Sequence, residues 1–290
     1  MSTVSQAAES AVRDDAGTDA QVAVLAPRTP ASEKVLRVVI PILVVVAVVV
    51  GWEAIVVFNH IPKYILPGPG DVALSLSTDW PVLLPALWVT LTITFSALIV
   101  ALIGGVVLAV VLVQSRWVEL AFYPLAVILQ VTPIIAIAPL LLIYTSTQLA
   151  LLICAFLVAF FPILSNVVQG LKSVDHNLLN LFDLYGASRW QQLIFLKLPA
   201  ALPYFMVGLR IGGGLALIAA VVAEFAAGSS GAGSGLAFRL LEAQYRLNIP
   251  RLFAALLLLS VTGVAIFGLT SFISWLALHR WHESAVRREN

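Results

Sequence analysis

The sequence predicts an all-α integral membrane protein with six transmembrane helices and one long helical loop on the cytoplasmic side. Three observations carry this reading. Of 290 residues, 61% are Ala, Val, Ile, Leu, Met, Phe, Trp, Tyr or Cys and 11% are charged, against about half and about a quarter in an average soluble domain. Mean hydropathy is +1.02. Apolar runs long enough to cross a bilayer, about 20 residues for a 30 Å hydrocarbon core, recur six times. Sixteen Lys and Arg with fifteen Asp and Glu cannot cover a soluble domain of this size, so the apolar surface faces lipid. A net charge of +1 with no basic stripe excludes a nucleic-acid partner. The single cysteine, Cys154, lies in LLICAFLVAF and reads as a buried small hydrophobe; alone, it excludes an intramolecular disulfide or a cysteine-based metal cluster.

Residues 1–34 are rich in Ala, Ser, Thr and Asp and nearly free of large hydrophobes, which predicts a disordered cytoplasmic tail rather than a signal segment. The spans follow at about 35–58, 84–113, 119–143, 148–168, 200–224 and 252–278, within a domain of 35–280 closed by a C-terminal tail, 281–290. Orientation follows the basic residues. With the N-terminus inside, eleven fall on the cytoplasmic side (Arg13, Arg28, Lys34, Arg37, Arg116, Lys172, Arg189, Lys197, Arg280, Arg287, Arg288) and four outside (Lys63, Arg239, Arg246, Arg251). Arg239, Arg246 and Arg251 run against the rule. Both termini are then cytoplasmic.

The polar interruption at 170–199 carries its own pattern. Val174, Leu178, Leu181, Phe182 and Tyr185 recur as an amphipathic stripe. Asp175 or Ser173 can cap its start, and Gly186 suits the left-handed residue that ends it. Ser188 and Gln191 have capping-box spacing and open a second helix, with Trp190, Leu193, Ile194 and Leu198 on its apolar face until Pro199 stops it. With only Lys172, Arg189 and Lys197 basic, a groove on a soluble partner accounts for the stripe better than a lipid surface does.

Gly186-Ala187-Ser188 followed by Leu196-Lys197-Leu198-Pro199 resembles the second half of the EAA loop of bacterial ABC importer permeases. Asn180-Leu181-Phe182 stands where that family has Glu-Ala-Ala, with Asp183 nearby. Tyr64-Ile65-Leu66-Pro67-Gly68-Pro69 and the VVAEF at 221–225 look like the nitrate, sulfonate and taurine branch. The resemblance covers about 38–280. It implies a coupling loop in which Asp183, Tyr185, Gly186, Ala187, Ser188, Leu196, Leu198 and Pro199 meet a separate ATPase present in two copies, with ATP and Mg held there. It further implies a second copy of the permease, an extracytoplasmic solute-binding protein, and residence in the bacterial inner membrane. No Gly-Lys dipeptide exists to start a phosphate-binding loop, and neither HExxH nor G-x-S-x-G occurs, so no enzyme and no cofactor are expected in this chain. The implied solute is a small anion such as nitrate, a sulfonate or taurine. TPIIAIAPLLLIY also looks like permeases for riboflavin or pyrimidine vitamin precursors. A secondary transporter independent of ATP, or a membrane scaffold with no solute, are the rival classes.

Within the spans, Gly208 and Gly212 form a G-x-x-x-G, and Gly104-Gly105 lie mid-span, as packing contacts or as a clearance for solute. Pro133 and Pro139 break the third span, either as a kink or as the wall of a path. Arg210 and Glu224 are ionisable groups at membrane depth. Arg210 reads as structural at the cytoplasmic end or as an attractor of anionic solute, and Glu224 as a loop-ordering or gate residue or an interfacial one. They lie about 21 Å apart along one helix and cannot pair. The stretch 226–250 combines Gly231, Gly233 and Gly235 with a Phe238, Leu241, Tyr245, Ile249 stripe, suiting a gate, a docking site or a connector.

Overall fold

The computed structural model describes residues 31–228 and 233–279, with side chains from Val39 onward. The chain divides into two compact units, residues 1–55 and 56–290. Most of α1 (Ala31–Phe58) belongs to the first, an apolar helix with Pro41 inside it. It starts one turn ahead of the expected position near Val35. The remainder of the N-terminal tail, the C-terminal tail and Gly231 lie outside the described residues.

The second unit continues with α2 (Pro69–Thr78), α3 (Trp80–Gln114), α4 (Arg116–Val131), α5 (Ile134–Tyr144), α6 (Thr147–Lys172), α7 (His176–Leu184) and α8 (Arg189–Gln192). A π turn (Leu193–Lys197) leads into α9 (Leu198–Ala227), followed by α10 (Leu236–Tyr245) and α11 (Ile249–Leu278). Lipid offers no hydrogen-bond partner to the backbone, so every apolar run closes its bonds internally as helix. By length and composition, α1, α3, α6, α11 and the continuous stretch Arg189–Ala227 can each cross a membrane, and α4 with α5 make a sixth span if counted together.

The expected break in the third span is present and larger than a kink: α4 and α5 meet at a 95° bend. Pro133 forces this by driving Thr132 out of the helical region, to φ −71° and ψ 125°. One expectation is corrected: Pro199 does not stop the loop's second helix. The π turn widens the coil just ahead of it, and Pro199 falls in the first turn of α9, where its missing N–H costs little. The loop and the fifth span are therefore one continuous helical stretch.

The packing centre is Ile163 on α6, fully buried. A Cβ on Gly212 of α9 would meet its Cδ1 at 2.8 Å, one on Gly105 of α3 its Cγ2 at 2.9 Å, and one on Gly208 of α9 its Cα at 3.2 Å. Three glycines from two helices thus form the socket for one β-branched side chain. The packing reading of these glycines holds, and small residues are what lets helices approach in a membrane. Two turns further along α6, a Cβ on Gly170 would meet the Ala201 Cα at 2.9 Å, where backbone cannot give way.

At the other end of the unit, Asp79 joins α2 to α3. It accepts from the Ser75 hydroxyl at 2.8 Å and is ion-paired with Arg251 in the first turn of α11. The Arg251 guanidinium holds the Asp79 carboxyl below its ordinary value, as Arg239 holds Glu242. Glu242 also pairs with Arg246 at 2.9 Å. All three arginines that run against the charge rule are thus committed to carboxylates on their own side.

Gly170→Leu is expected to destabilise by about 1–3 kcal/mol, read as a lower thermal midpoint in detergent. Gly214→Ala, whose Cβ would meet nothing within 4 Å, should leave the midpoint unchanged. Because the Asp79 carboxyl is depressed in the folded chain, the pair's contribution is complete above the ordinary carboxylate pKa near 4 and is lost as pH falls through the lower folded value. Asp79→Asn should flatten the midpoint's pH dependence in that window; an unchanged profile refutes the assignment.

Candidate functional site

Between α6 and α9 the chain folds into a helical hairpin that local chemistry specifies almost completely. Asp175 caps α7 by accepting from the Asn177 N–H at 2.7 Å. At its other end the Ala187 N–H donates to the Phe182 carbonyl at 2.9 Å and the Gly186 N–H to the Asp183 carbonyl at 3.0 Å, a Schellman closure. Gly186 takes φ +68°, which only glycine adopts without strain. Ser188 and Gln191 complete the expected capping box. Asp183 accepts from the Gln192 side-chain amide at 2.6 Å, so it braces the hairpin from within.

The stripe faces outward. Val174 is buried ahead of α7 rather than on it, and Phe182 is half-buried. Leu184 is 83% and Tyr185 82% exposed, with Trp190 and Phe195 also open. Leu181, Phe182, Tyr185, Gly186, Ala187, Gln191 and Phe195 line a groove of about 470 Å³. Leu196 and Pro199 are half-buried, Leu198 and Ser188 exposed.

Glu224, at the far end of α9, is 3% exposed, so the interfacial reading is excluded. Its Oε1 accepts from the Thr90 hydroxyl of α3 at 2.8 Å and its Oε2 from the Ala237 N–H at 3.0 Å. Thr90 in turn accepts from the Leu236 N–H at 2.8 Å. The N-cap of α10, Gly235, has no side chain to offer, so two residues remote in sequence satisfy the first amides of that helix. Any Cβ on Gly235 would strike the Glu224 carboxylate. The carboxylate also sits where the helix dipole favours negative charge. The Phe238, Leu241, Tyr245, Ile249 stripe is not the packed face: α10 ends at Tyr245, which is exposed, and it buries Leu236, Ala237 and Ala243 instead. Sequence reasoning missed Thr90, and it read Gly235 as part of a flexible stretch rather than as the N-cap of α10. The signal was Glu224 itself, a carboxylate in an apolar span that required a donor.

At the α4–α5 bend, Gln130, Thr132 and Ile134 face Phe161 and Pro162 of α6 and Leu215 of α9 across a cavity of about 210 Å³. Thr132 donates its hydroxyl to the Ile128 carbonyl at 2.9 Å, recovering one backbone acceptor near the break. Pro133 makes the bend; Pro139 lies inside α5. Arg210 is not in this cavity. It projects between α9 and α11, 5.9 Å from the Phe267 ring centroid, with no carboxylate paired to it among the described residues. The four expected path residues therefore fall in three places. Among the described residues no three His, Cys, Asp or Glu side chains converge as a metal site.

Residues 101–288 match the family described as binding-protein-dependent transport system inner membrane component. A probable ABC transporter permease protein of Haemophilus influenzae is 32% identical over 85% of this chain and 98% of its own length. The riboflavin transport system permease protein RibX of Chloroflexus aurantiacus is 32% identical over 81% and 87%. The formylaminopyrimidine transport permease protein ThiX of Halalkalibacterium halodurans is 32% identical over 69% and 80%. At 26–27% identity the similarity extends to permease proteins named for aliphatic sulfonates, bicarbonate and nitrate.

Glu224→Ala is expected to speed hydrogen exchange at the Leu236 and Ala237 amides by roughly tenfold, the worth of one buried hydrogen bond. Thr90→Val should do so mainly at Leu236. Phe225→Ala, on the open face of the same turn, should change neither.

Proposed function

The chain belongs to the binding-protein-dependent transport system inner membrane component family, the ABC transporter permeases, and from that premise we propose that it is the membrane-spanning subunit of an ATP-driven importer. It works as a dimer with a second copy, beside two copies of a separate ATPase, and receives solute from an extracytoplasmic binding protein. Both termini and the α7–α8 hairpin lie in the cytoplasm, on the side of the greater basic count. The hairpin is the coupling element, and the observation that carries this is its exposed apolar face: Leu184 and Tyr185 stand at the tip of a rigidly capped turn with nothing among the described residues to cover them.

Force applied there has a direct route. Arg189–Ala227 is a run of 39 helical residues, about 58 Å at 1.5 Å per residue. A hairpin displaced by closure of the ATPase pair moves α9, and the Ile163 socket makes α3 and α6 follow. At its outer end α9 carries Glu224, which holds α10, so the same displacement reaches the outer surface. The Gln130 and Thr132 cavity at the α4–α5 bend, with Pro133 as its hinge, is the proposed segment of the path.

For the solute we favour a neutral heterocycle of the flavin or pyrimidine type. Relatives at 32% identity are named for such solutes, and the bend cavity offers amide and hydroxyl groups between apolar walls with no cationic side chain among its lining residues. The anion reading is second, supported by the sulfonate, bicarbonate and nitrate relatives.

Gly186→Val, which strains a left-handed residue, and Tyr185→Asp should each abolish co-purification of the ATPase while leaving the thermal midpoint of the chain within a few degrees. Unchanged co-purification would reject the coupling assignment. Proteoliposomes holding permease, ATPase and binding protein should accumulate labelled riboflavin or formylaminopyrimidine only with ATP. Uptake by this chain alone under an ion gradient would identify a secondary transporter, and uptake of taurine or nitrate instead would select the anion reading.

A further inference from the structure

The seam between α9 and α11 holds a pocket of about 310 Å³ lined by Pro203, Val207 and Arg210 on one helix and by Ser271, Ser274 and Trp275 on the other. Its chemistry is unfinished. Arg210 has a ring beneath it but no carboxylate among the described residues. The Ser271 hydroxyl is buried without a hydrogen-bond partner. A cation at membrane depth is costly, and an unmade hydrogen bond at a buried hydroxyl adds to that cost. Both deficits call for the same ligand, an oxyanion.

Its surroundings say which kind. At this end of α11, Trp275 stacks on His279 with ring centroids 4.7 Å apart and on Phe272 at 6.1 Å, the aromatic grouping of a membrane–water interface. Val207 and Ile211 on α9 and Phe272 and Leu276 on α11 expose apolar side chains beside the pocket, a surface for acyl chains rather than for a hydrated ion. Depth agrees as well. α9 is 30 residues long, about 45 Å, and so overruns a 30 Å hydrocarbon core by about 7 Å at each end. Arg210 then stands about 10 Å inside the core edge. An arginine stem leaning toward the helix N-terminus spans most of that distance, and local thinning of the bilayer brings phosphates down to meet it.

We propose that the α9–α11 seam binds the phosphodiester of an anionic phospholipid. Arg210 donates to the phosphate oxygens, Ser271 donates a further hydrogen bond, and Trp275 packs at headgroup level. The leaflet, though not the binding, rests on the orientation proposed above, in which this end is cytoplasmic.

The test uses the full chain purified in detergent, without ATP or ATPase, so that its outcome is independent of the importer reading. Phosphatidylglycerol is titrated while bound lipid is counted by native mass spectrometry and the thermal midpoint is followed. Binding of phosphatidylglycerol should exceed that of phosphatidylcholine and should fall roughly tenfold in Arg210→Gln, the loss expected for a charge-assisted hydrogen bond. Arg210→Lys should recover part of it, and Ser271→Ala should weaken it by a smaller factor. Equal binding in wild type and Arg210→Gln overturns the proposal, as does equal binding of the two lipids. Should Arg210→Gln fail to fold, Ser271→Ala and Arg210→Lys decide it by the same comparison, with unchanged binding in both counting against the site. Arg210-dependent stabilisation by inorganic phosphate with none by phosphatidylglycerol assigns the pocket to a soluble anion and overturns the lipid source. The leaflet is read separately, by labelling Lys197→Cys in Cys154→Ala with an impermeant maleimide.

Discussion

Everything in the second unit depends on how closely α3, α6 and α9 approach at Ile163. Lipid tails are as apolar as a leucine side chain, so burying hydrophobic surface between helices gains little, and dispersion contact at short range must do the holding. Gly105, Gly208 and Gly212 permit that range by having no Cβ to place against Ile163. α9 therefore cannot slide along α6 without dragging the socket. That rigidity fixes α9 against α6, and it places Glu224 within reach of Thr90 at the far end of α9.

The two ends of α9 show contrasting ways to finish a helix. At the hairpin, caps are local: Asp175, Ser188, Gln191 and Gly186 meet the orphaned backbone groups of α7 and α8 from within three or four residues. At the other end, Gly235 offers α10 no side-chain cap, and Glu224 and Thr90 supply acceptors from 13 and 146 positions away. A local cap forms with its helix. A tertiary cap forms only when three helices are in register, and it is lost when any of them shifts.

Legibility followed the same division. The hairpin was readable because a Schellman glycine, a capping box and a 3.6-residue stripe are contiguous patterns. Spans were readable because about 20 apolar residues have one solution in a bilayer. Pro199 misled: a proline after an amphipathic run reads as a stop, yet one π turn moved it into a first helical turn, where it is tolerated. Pro133 was seen as a break, but its 95° bend was not, since a missing donor does not say how far the next helix turns. Of the arginines at 239, 246 and 251, the first two pair with Glu242 at local i,i+3 and i,i+4 spacing, and only Arg251 meets a carboxylate, Asp79, that folding brings from far along the chain.

By itself the sequence determined that this chain is an all-helical membrane protein, where its apolar runs and its polar hairpin lie and, through that hairpin's residues, its family. Each of these rests on a property of contiguous residues: hydropathy, helical period, cap spacing. Tertiary structure alone decided that loop and fifth span are one helical stretch, that Ile163 sits in a three-glycine socket, that Glu224 is a buried cap rather than an interfacial charge, and that Arg210 faces a seam apart from the bend cavity. These are relations between residues up to 146 positions apart, as for Thr90 and Leu236. A short polar group at membrane depth announces that it needs a partner, but only packing decides which one it meets.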